Sequence, residues 1–349
     1  MLIQGPQGKT ACSRPVAFLV LVSPAGGGAE PMNRREMLKR CAVAVGSACL
    51  PLAGASSATL SAALPGEGAA AAKPAGLQFA TNLYPWGTFY KRAGKPYDAA
   101  GKDIWQEVAG CGFDGIESSG APANLADLLT ASKLSLRSLY VNSTLHDPAR
   151  SGASIDAVLA TAAAAKPHGC TIIVTNPEPI RWGGPENKTD AQLLHQAESL
   201  NRLGAELRKQ GQVLAYHNHD IELRNAAREL HHMLAGTDPE SVRFCLDAHW
   251  VYRGSGDSQV ALFDVVKLYG KRVVELHIRQ SQGGVWTEAF GPGDIDYKRL
   301  AEELAAMGVR PHLVLEQAVE KQSPVTLDVV EAHKRGLAHA RNVFTAFAD

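Results

Sequence analysis

Two histidines, His217 and His219, stand at the end of a short apolar run in the stretch QVLAYHNHDIE, residues 212–222. The run reads as a buried strand, and side chains alternate along a strand, so Ala215, His217 and His219 face the same way. Two imidazoles on one face of a strand tip invite a metal ion or an oxyanion; taken alone, they are equally well read as exposed loop histidines. Later apolar runs end in the same manner. SVRFCLDAHW closes on Asp247 with His249 two further on, RVVELHIRQ carries His277 and then Arg279, and PHLVLEQAV carries Glu316. Glu178 lies just past the run CTIIVTNPEP, and Glu117 ends DGIES. Carboxylates and imidazoles from adjacent strand ends form a mixed nitrogen and oxygen donor set. Zn2+, Mn2+ and Co2+ accept such a set, whereas Mg2+ prefers more oxygens. Strand-end capping by hydrogen bonds to loops explains one such residue better than four on consecutive strands.

These residues need a scaffold that brings strand ends together. From Leu77 onward the chain alternates short apolar runs with segments of helical periodicity. The runs are LQFATNLYPW, DGIES, LSLRSLYVN, CTIIVTNPEP, QVLAYHNHD, SVRFCLDAHW, RVVELHIRQ and PHLVLEQAV. They lack strict alternation, as parallel strands covered by helices do. The helical segments between them have crossover lengths. Eight units in about 270 residues predict an α/β fold, a (β/α)8 TIM barrel over residues 77–349. A doubly wound open sheet is the alternative, but no Gly-rich dinucleotide loop follows the first run. In a barrel the C-terminal strand ends converge on one pocket.

Composition narrows the partners. Of 349 residues 45% are hydrophobic, enough for one large core, and Lys+Arg equal Asp+Glu at 35 each. No basic excess points to nucleic acid. Cys12, Cys41, Cys49, Cys111, Cys170 and Cys245 are scattered, and the last three are expected to be buried free thiols rather than a disulfide framework. Residues 1–76 look unlike the rest. MNRREMLKR, from Met32, precedes the apolar run CAVAVGSACLPLAG and small residues suited to a signal peptidase. The paired Arg34 and Arg35 resemble a twin-arginine export signal. The expected layout is an upstream extension at 1–31, untranslated if synthesis starts at Met32, then a signal peptide at 32–58 and a flexible linker at 59–76. This predicts a periplasmic or otherwise exported bacterial protein that meets the export machinery transiently. A composite signal, a membrane anchor and lipidation at Cys49 are the alternatives.

The second half resembles the xylose isomerase-like barrel superfamily in its sugar phosphate isomerase/epimerase branch. The segments that carry the resemblance are YHNHDIE (216–222), FCLDAHWVYRGSG (244–256), VVELHIRQS (273–281), FGPGDIDY (290–297) and LVLEQ (313–317). The resemblance runs over residues 77–345 and is specific for fold and metal site, not for substrate. It implies one divalent ion, Mn2+ or Zn2+ first, with Mg2+ or Co2+ possible. Asp247, His277 and Glu316 carry over as ligands, and His217 stands where the family often has a glutamate. His219 is left open as a ligand or a supporting residue. His249 lies two after the aspartate, where several relatives have a histidine at three.

The family's chemistry is proton movement beside a carbonyl, through an enediolate. A keto-sugar or hydroxy-ketone substrate needs one group to take the α-proton and a second to return it. Glu316 and Glu178 are the candidates, with His219 or His249 as alternatives. Trp182 and Trp250 are candidates for stacking on a sugar face, and Arg253 and Arg279 for binding a phosphate or carboxylate. The rival readings are a lyase on the same site, dehydrating a keto-polyol or eliminating from a 3-keto-glycoside, an abasic-site endonuclease, and a non-catalytic sugar-binding barrel. The endonuclease needs a fuller ligand set than this chain offers.

Overall fold

Eight short strands pair side by side, all parallel, and the last hydrogen-bonds to the first. They are β1 (Phe79–Asn82), β2 (Gly115–Ser119), β3 (Ser135–Tyr140), β4 (Ile172–Thr175), β5 (Val213–His217), β6 (Val242–Asp247), β7 (Val273–Ile278) and β8 (His312–Leu315). The ring β1-β8-β7-β6-β5-β4-β3-β2 is closed, sealed by Phe79 opposite Leu313 and Thr81 opposite Leu315. This computed structural model describes residues 76–348. The expected upstream extension, export signal and nearly all of the linker, with Cys12, Cys41 and Cys49, lie outside those residues. The expected TIM barrel is therefore the observed fold. β4 is buried on the barrel side and on the helix side, which is why it is apolar almost throughout. Cys111, Cys170 and Cys245 are buried free thiols.

One irregularity sets the geometry of the site. Between β6 and β7 the register shifts at Phe244 and Cys245. Phe244 faces Val273, but Cys245 faces Glu275 and Asp247 faces His277. Without the shift, Cys245 would pair with Val274 and Asp247 with Leu276. Side chains alternate with period two, so a one-residue slip would send Asp247 and His277 to opposite faces. The extra residue on β7 is a bulge of the kind often found beside functional sites.

The connections depart from the sequence reading in two places. LQFATNLYPW does not continue as a strand; the chain turns at Leu83 into a helix, Tyr84–Arg92, with Pro85 in its first turn, where a missing N–H costs nothing. HWVYRG is likewise helical, Ala248–Gly254. Its N-cap is Asp247, whose Oδ1 accepts the Trp250 N–H at 2.9 Å.

The long helix Asp190–Lys209 opens on a capping box of Thr189 and Gln192 and buries Leu193, Ala197, Leu200, Leu203 and Leu207 along one face. Gly204 shares that face because a Cβ there would overlap the Ser241 carbonyl. Helix propensity alone would favour Gly204→Ala by about 1 kcal/mol. Overpacking against rigid backbone costs roughly 1–3 kcal/mol, so the variant should be less stable. A thermal midpoint equal to or above that of the unaltered protein would show that the two segments separate freely.

Candidate functional site

At the C-terminal mouth of the barrel, neighbouring strands deliver three donors to one place. One ligand atom each from Asp247, His277 and Glu316 lies within 4.8 Å of the others, and all three side chains are buried. The His277 Nδ1–H donates to Glu316 Oε2 at 2.8 Å. Arg279 donates from Nη2 to Glu316 Oε1 at 3.1 Å and from Nε to the Glu316 carbonyl at 3.0 Å. The same Nη2 stands 3.7 Å from Asp247 Oδ2. Because Asp247 spends Oδ1 on its helix cap, Oδ2 is left buried without a hydrogen bond among the described residues. Such an orphan costs about 1–3 kcal/mol. A divalent ion would satisfy it, and an imidazole with two carboxylates is a fitting donor set for Mn2+ or Zn2+.

The charges here constrain one another. Burial raises the Glu316 carboxyl, but Arg279 and His277 hold it well below the usual range. Burial pushes Asp247 up to about 6 despite Arg279. Burial opposes charge on His277, yet Cys245, Glu117 and Glu316 keep its pKa well above that of a free imidazole.

A second set of polar groups lies around the other edge of His277. Its Nε2 is 3.1 Å from Glu275 Oε1 and 3.2 Å from Glu117 Oε1. Cys245 Sγ is 3.7 Å from the same Glu275 oxygen and 3.6 Å from His217 Nδ1. Burial, with Glu117 beside it, pushes Glu275 up to about 8, so it is protonated at neutral pH. The structure thus groups His217 with Cys245 and His277, and not with Asp247 and Glu316.

Above these residues opens a cavity of about 760 Å³. Its walls include Glu316, Arg279, His217, His219, Trp182 and Trp250, together with Asn82, Tyr84, Glu117 and Tyr140. Trp182, 55% exposed, stands at the rim with its ring edge-on to His219 at 5.2 Å. The Arg279 guanidinium stacks 5.1 Å over Trp250 and 4.4 Å over Trp286. Burial lowers His219 to about 4, so its ring is neutral, and its Nδ1 has no partner among the described residues.

Of the expected site residues, Asp247, His277, Glu178, His249 and Arg253 do not line this cavity, and the last three have other partners. Glu178 turns to Thr144, whose hydroxyl donates to Oε2 at 3.0 Å; nearby Arg181 pairs with Glu186 at 2.7 Å. His249 sits in the helix after β6, where a step of two residues does not return to the face of Asp247. Its ring packs among Trp250, Tyr252 and Trp286, about 6 Å from each. Arg253 has its fork engaged by Glu320, at 3.1 Å for both contacts, and by the Gly284 carbonyl at 2.6 Å.

Other residues at the site were not singled out by the sequence reading. Glu275 carried a usable signal, a carboxylate two before His277 and hence on the same face of an apolar strand. Asn176 and Glu222 form a clamp under β5. The Asn176 amide donates to the His217 carbonyl at 2.9 Å and to Glu222 Oε1 at 3.1 Å, and the His219 N–H donates to Glu222 Oε2 at 2.7 Å. Asn176→Ala should lower stability by about 1–3 kcal/mol, because buried partners lose their hydrogen bonds. A urea midpoint unchanged from the parent would show that the clamp does not hold the strand end.

A family model described as xylose isomerase-like TIM barrel matches residues 105–343. Over 154 residues the sequence is 27% identical to an inosose dehydratase of Clostridium perfringens, covering 39% of this chain and 49% of that protein. The chain thus spans about half the length of the curated relatives it matches. The D-allulose 3-epimerase of a Methylomonas species, solved in complex with D-allulose, superposes with a TM-score of 0.60 at 15% identity, over 77% of this chain and 97% of that one. A xylose isomerase-like TIM barrel protein of Mycobacterium smegmatis, solved in complex with magnesium, gives 0.59 at 13% identity, over 78% and 98%. At such identities the structural likeness speaks to fold alone.

Proposed function

The chain belongs to the xylose isomerase-like TIM barrel family, and on that premise we propose that it is a divalent-metal-dependent sugar isomerase or epimerase acting on a keto-sugar or hydroxy-ketone. The observation that carries this reading is the buried Asp247, His277 and Glu316 group, of which Glu316 lines the cavity. These three would hold the ion, Mn2+ or Zn2+ first. Once bound, the ion supplies a Lewis acid for adjacent substrate oxygens and for the charge of an enediolate.

The protein's own groups do the rest. Glu316, kept ionised by Arg279 and His277, takes the proton beside the carbonyl. His219 lies two residues past β5, well round the barrel from β8; it lines the cavity, and its Nδ1 has no partner among the described residues. It is placed to carry a proton to the neighbouring carbon or the other face. Trp182 and Trp250 offer aromatic surface to the sugar ring. Arg279 balances the carboxylates and excludes water beneath the substrate.

The test is incubation of metal-loaded protein with a panel of keto-sugars in D2O. Deuterium should enter at the carbon beside the carbonyl. Purified protein that neither retains a divalent ion nor exchanges any substrate proton would end this reading.

The match to an inosose dehydratase favours a second reading, a lyase that uses the same first proton abstraction. Release of an aglycone and an unsaturated keto-sugar from a 3-keto-glycoside would decide for the lyase. The pattern MNRREMLKR supports a further proposal, export to the periplasm. Changing Arg34 and Arg35 to Lys should leave the protein in the cytoplasm.

A further inference from the structure

We propose a second metal position, with a thiolate ligand, buried beneath the first and formed by His217 Nδ1, Cys245 Sγ, Glu275 Oε1 and His277 Nε2. The separations carry it. Ligand atoms on a tetrahedral zinc centre with bonds of about 2.0–2.3 Å lie roughly 3.3–3.6 Å from one another. Here Sγ to His217 Nδ1 is 3.6 Å, Sγ to Glu275 Oε1 is 3.7 Å, and His277 Nε2 to Glu275 Oε1 is 3.1 Å. The ligand atoms of His217, Cys245 and His277 lie within 4.8 Å of one another, and those of Glu117, Glu275 and His277 form a second such group that shares His277. The bulge between β6 and β7 faces Cys245 with Glu275, as it faces Asp247 with His277.

A second observation points to a ligand. Glu117 Oε2 and Glu275 Oε2 are buried without a hydrogen bond among the described residues. If this cluster served only to orient His277, one carboxylate on Nε2 would suffice. Two carboxylates, a thiol and a second imidazole inside the barrel exceed that need, and burying them is costly. Glu117 and His217 also line the cavity, which gives an entry path from above.

The donor set selects the ion. Thiolate and imidazole with one carboxylate suit a borderline-soft divalent cation such as Zn2+, and do not suit Mg2+. Loading displaces to solvent the Cys245 thiol proton, the Glu275 carboxyl proton and the His277 Nε2 proton, with no change in oxidation state. His277 keeps Nδ1 toward Glu316, and one imidazole serves both positions once the Nδ1 proton is displaced by an ion at the first.

The test titrates Co2+ into the full-length chain carrying Cys12→Ser, Cys41→Ser and Cys49→Ser, so that no other leader thiol competes. A thiolate-to-cobalt charge-transfer band is expected in the near ultraviolet. It should be lost in the additional variant Cys245→Ser and kept in Asp247→Asn. Cobalt binding without the band, or a band indifferent to Cys245→Ser, overturns the inference and leaves the cluster as hydrogen-bonded support for His277. If Cys245→Ser does not fold, X-ray absorption of the zinc-loaded parent decides. A sulfur neighbour at about 2.3 Å is expected, and a shell of nitrogen and oxygen alone overturns the inference. Turnover without the band removes this inference alone; the band without turnover removes the proposed function alone.

Discussion

Glu316→Gln should lower turnover by about a thousandfold or more, since it removes a base and an electrostatic partner together. Gln keeps the volume, so the cavity wall is preserved. What changes is chemistry. The carboxylate accepts the His277 Nδ1–H at 2.8 Å and the Arg279 Nη2–H at 3.1 Å. An amide has one oxygen for these two donors, and its NH2 would face one of them. The variant also lacks a proton acceptor toward substrate and a charged ligand toward an ion. Retained circular dichroism with lost turnover and weakened metal retention is the expected pattern. Turnover at the parent level, in a variant that holds metal as tightly, would remove Glu316 from the proposed chemistry.

The barrel was legible because its signal is repeated. Most strands are short, largely buried apolar runs, and those that build the site carry a polar residue at or next to their C-terminal end, near the shared mouth. Asp247, His277 and Glu316 could be placed by that rule, because backbone alternation near a strand end is nearly invariant. The rule weakens as soon as the strand stops. After Asp247 the chain turns directly into a helix, so His249 rotates into an aromatic cluster instead of staying on the same face. Past β4 the backbone is irregular, and Glu178 is claimed by Thr144 through a contact that sequence spacing does not encode. Arg253 is claimed by Glu320, 67 positions away. His217 illustrates a different limit. Its facing was readable, but its neighbour Cys245 depends on a pairing register that β5 shares with β6. The bulge that then sets Cys245 opposite Glu275 leaves no mark in either strand's sequence.

Arg279→Met should destabilise the metal-free protein by about 3–5 kcal/mol, the cost of leaving a buried charge without its partner. For a barrel of this size that is a fall on the order of 10 °C in Tm. The side chain is only 1% exposed, lies against Trp250 and Trp286, and stands between Glu316 and Asp247. Met fills much of the same space, so the loss is electrostatic rather than steric. Without the guanidinium, two carboxylates face each other in a buried site with His277 as the remaining cation. A divalent ion among Asp247, His277 and Glu316 would supply the missing positive charge. The rise in Tm on adding Mn2+ or Zn2+ should therefore be larger in Arg279→Met than in the parent. Arg279→Lys should recover only part of the loss, because an ammonium cannot reproduce the guanidinium fork that reaches both the Glu316 carboxylate and its carbonyl. Equal metal-induced shifts in parent and variant would separate Arg279 from the ion and assign it to substrate alone, with a raised KM as its signature.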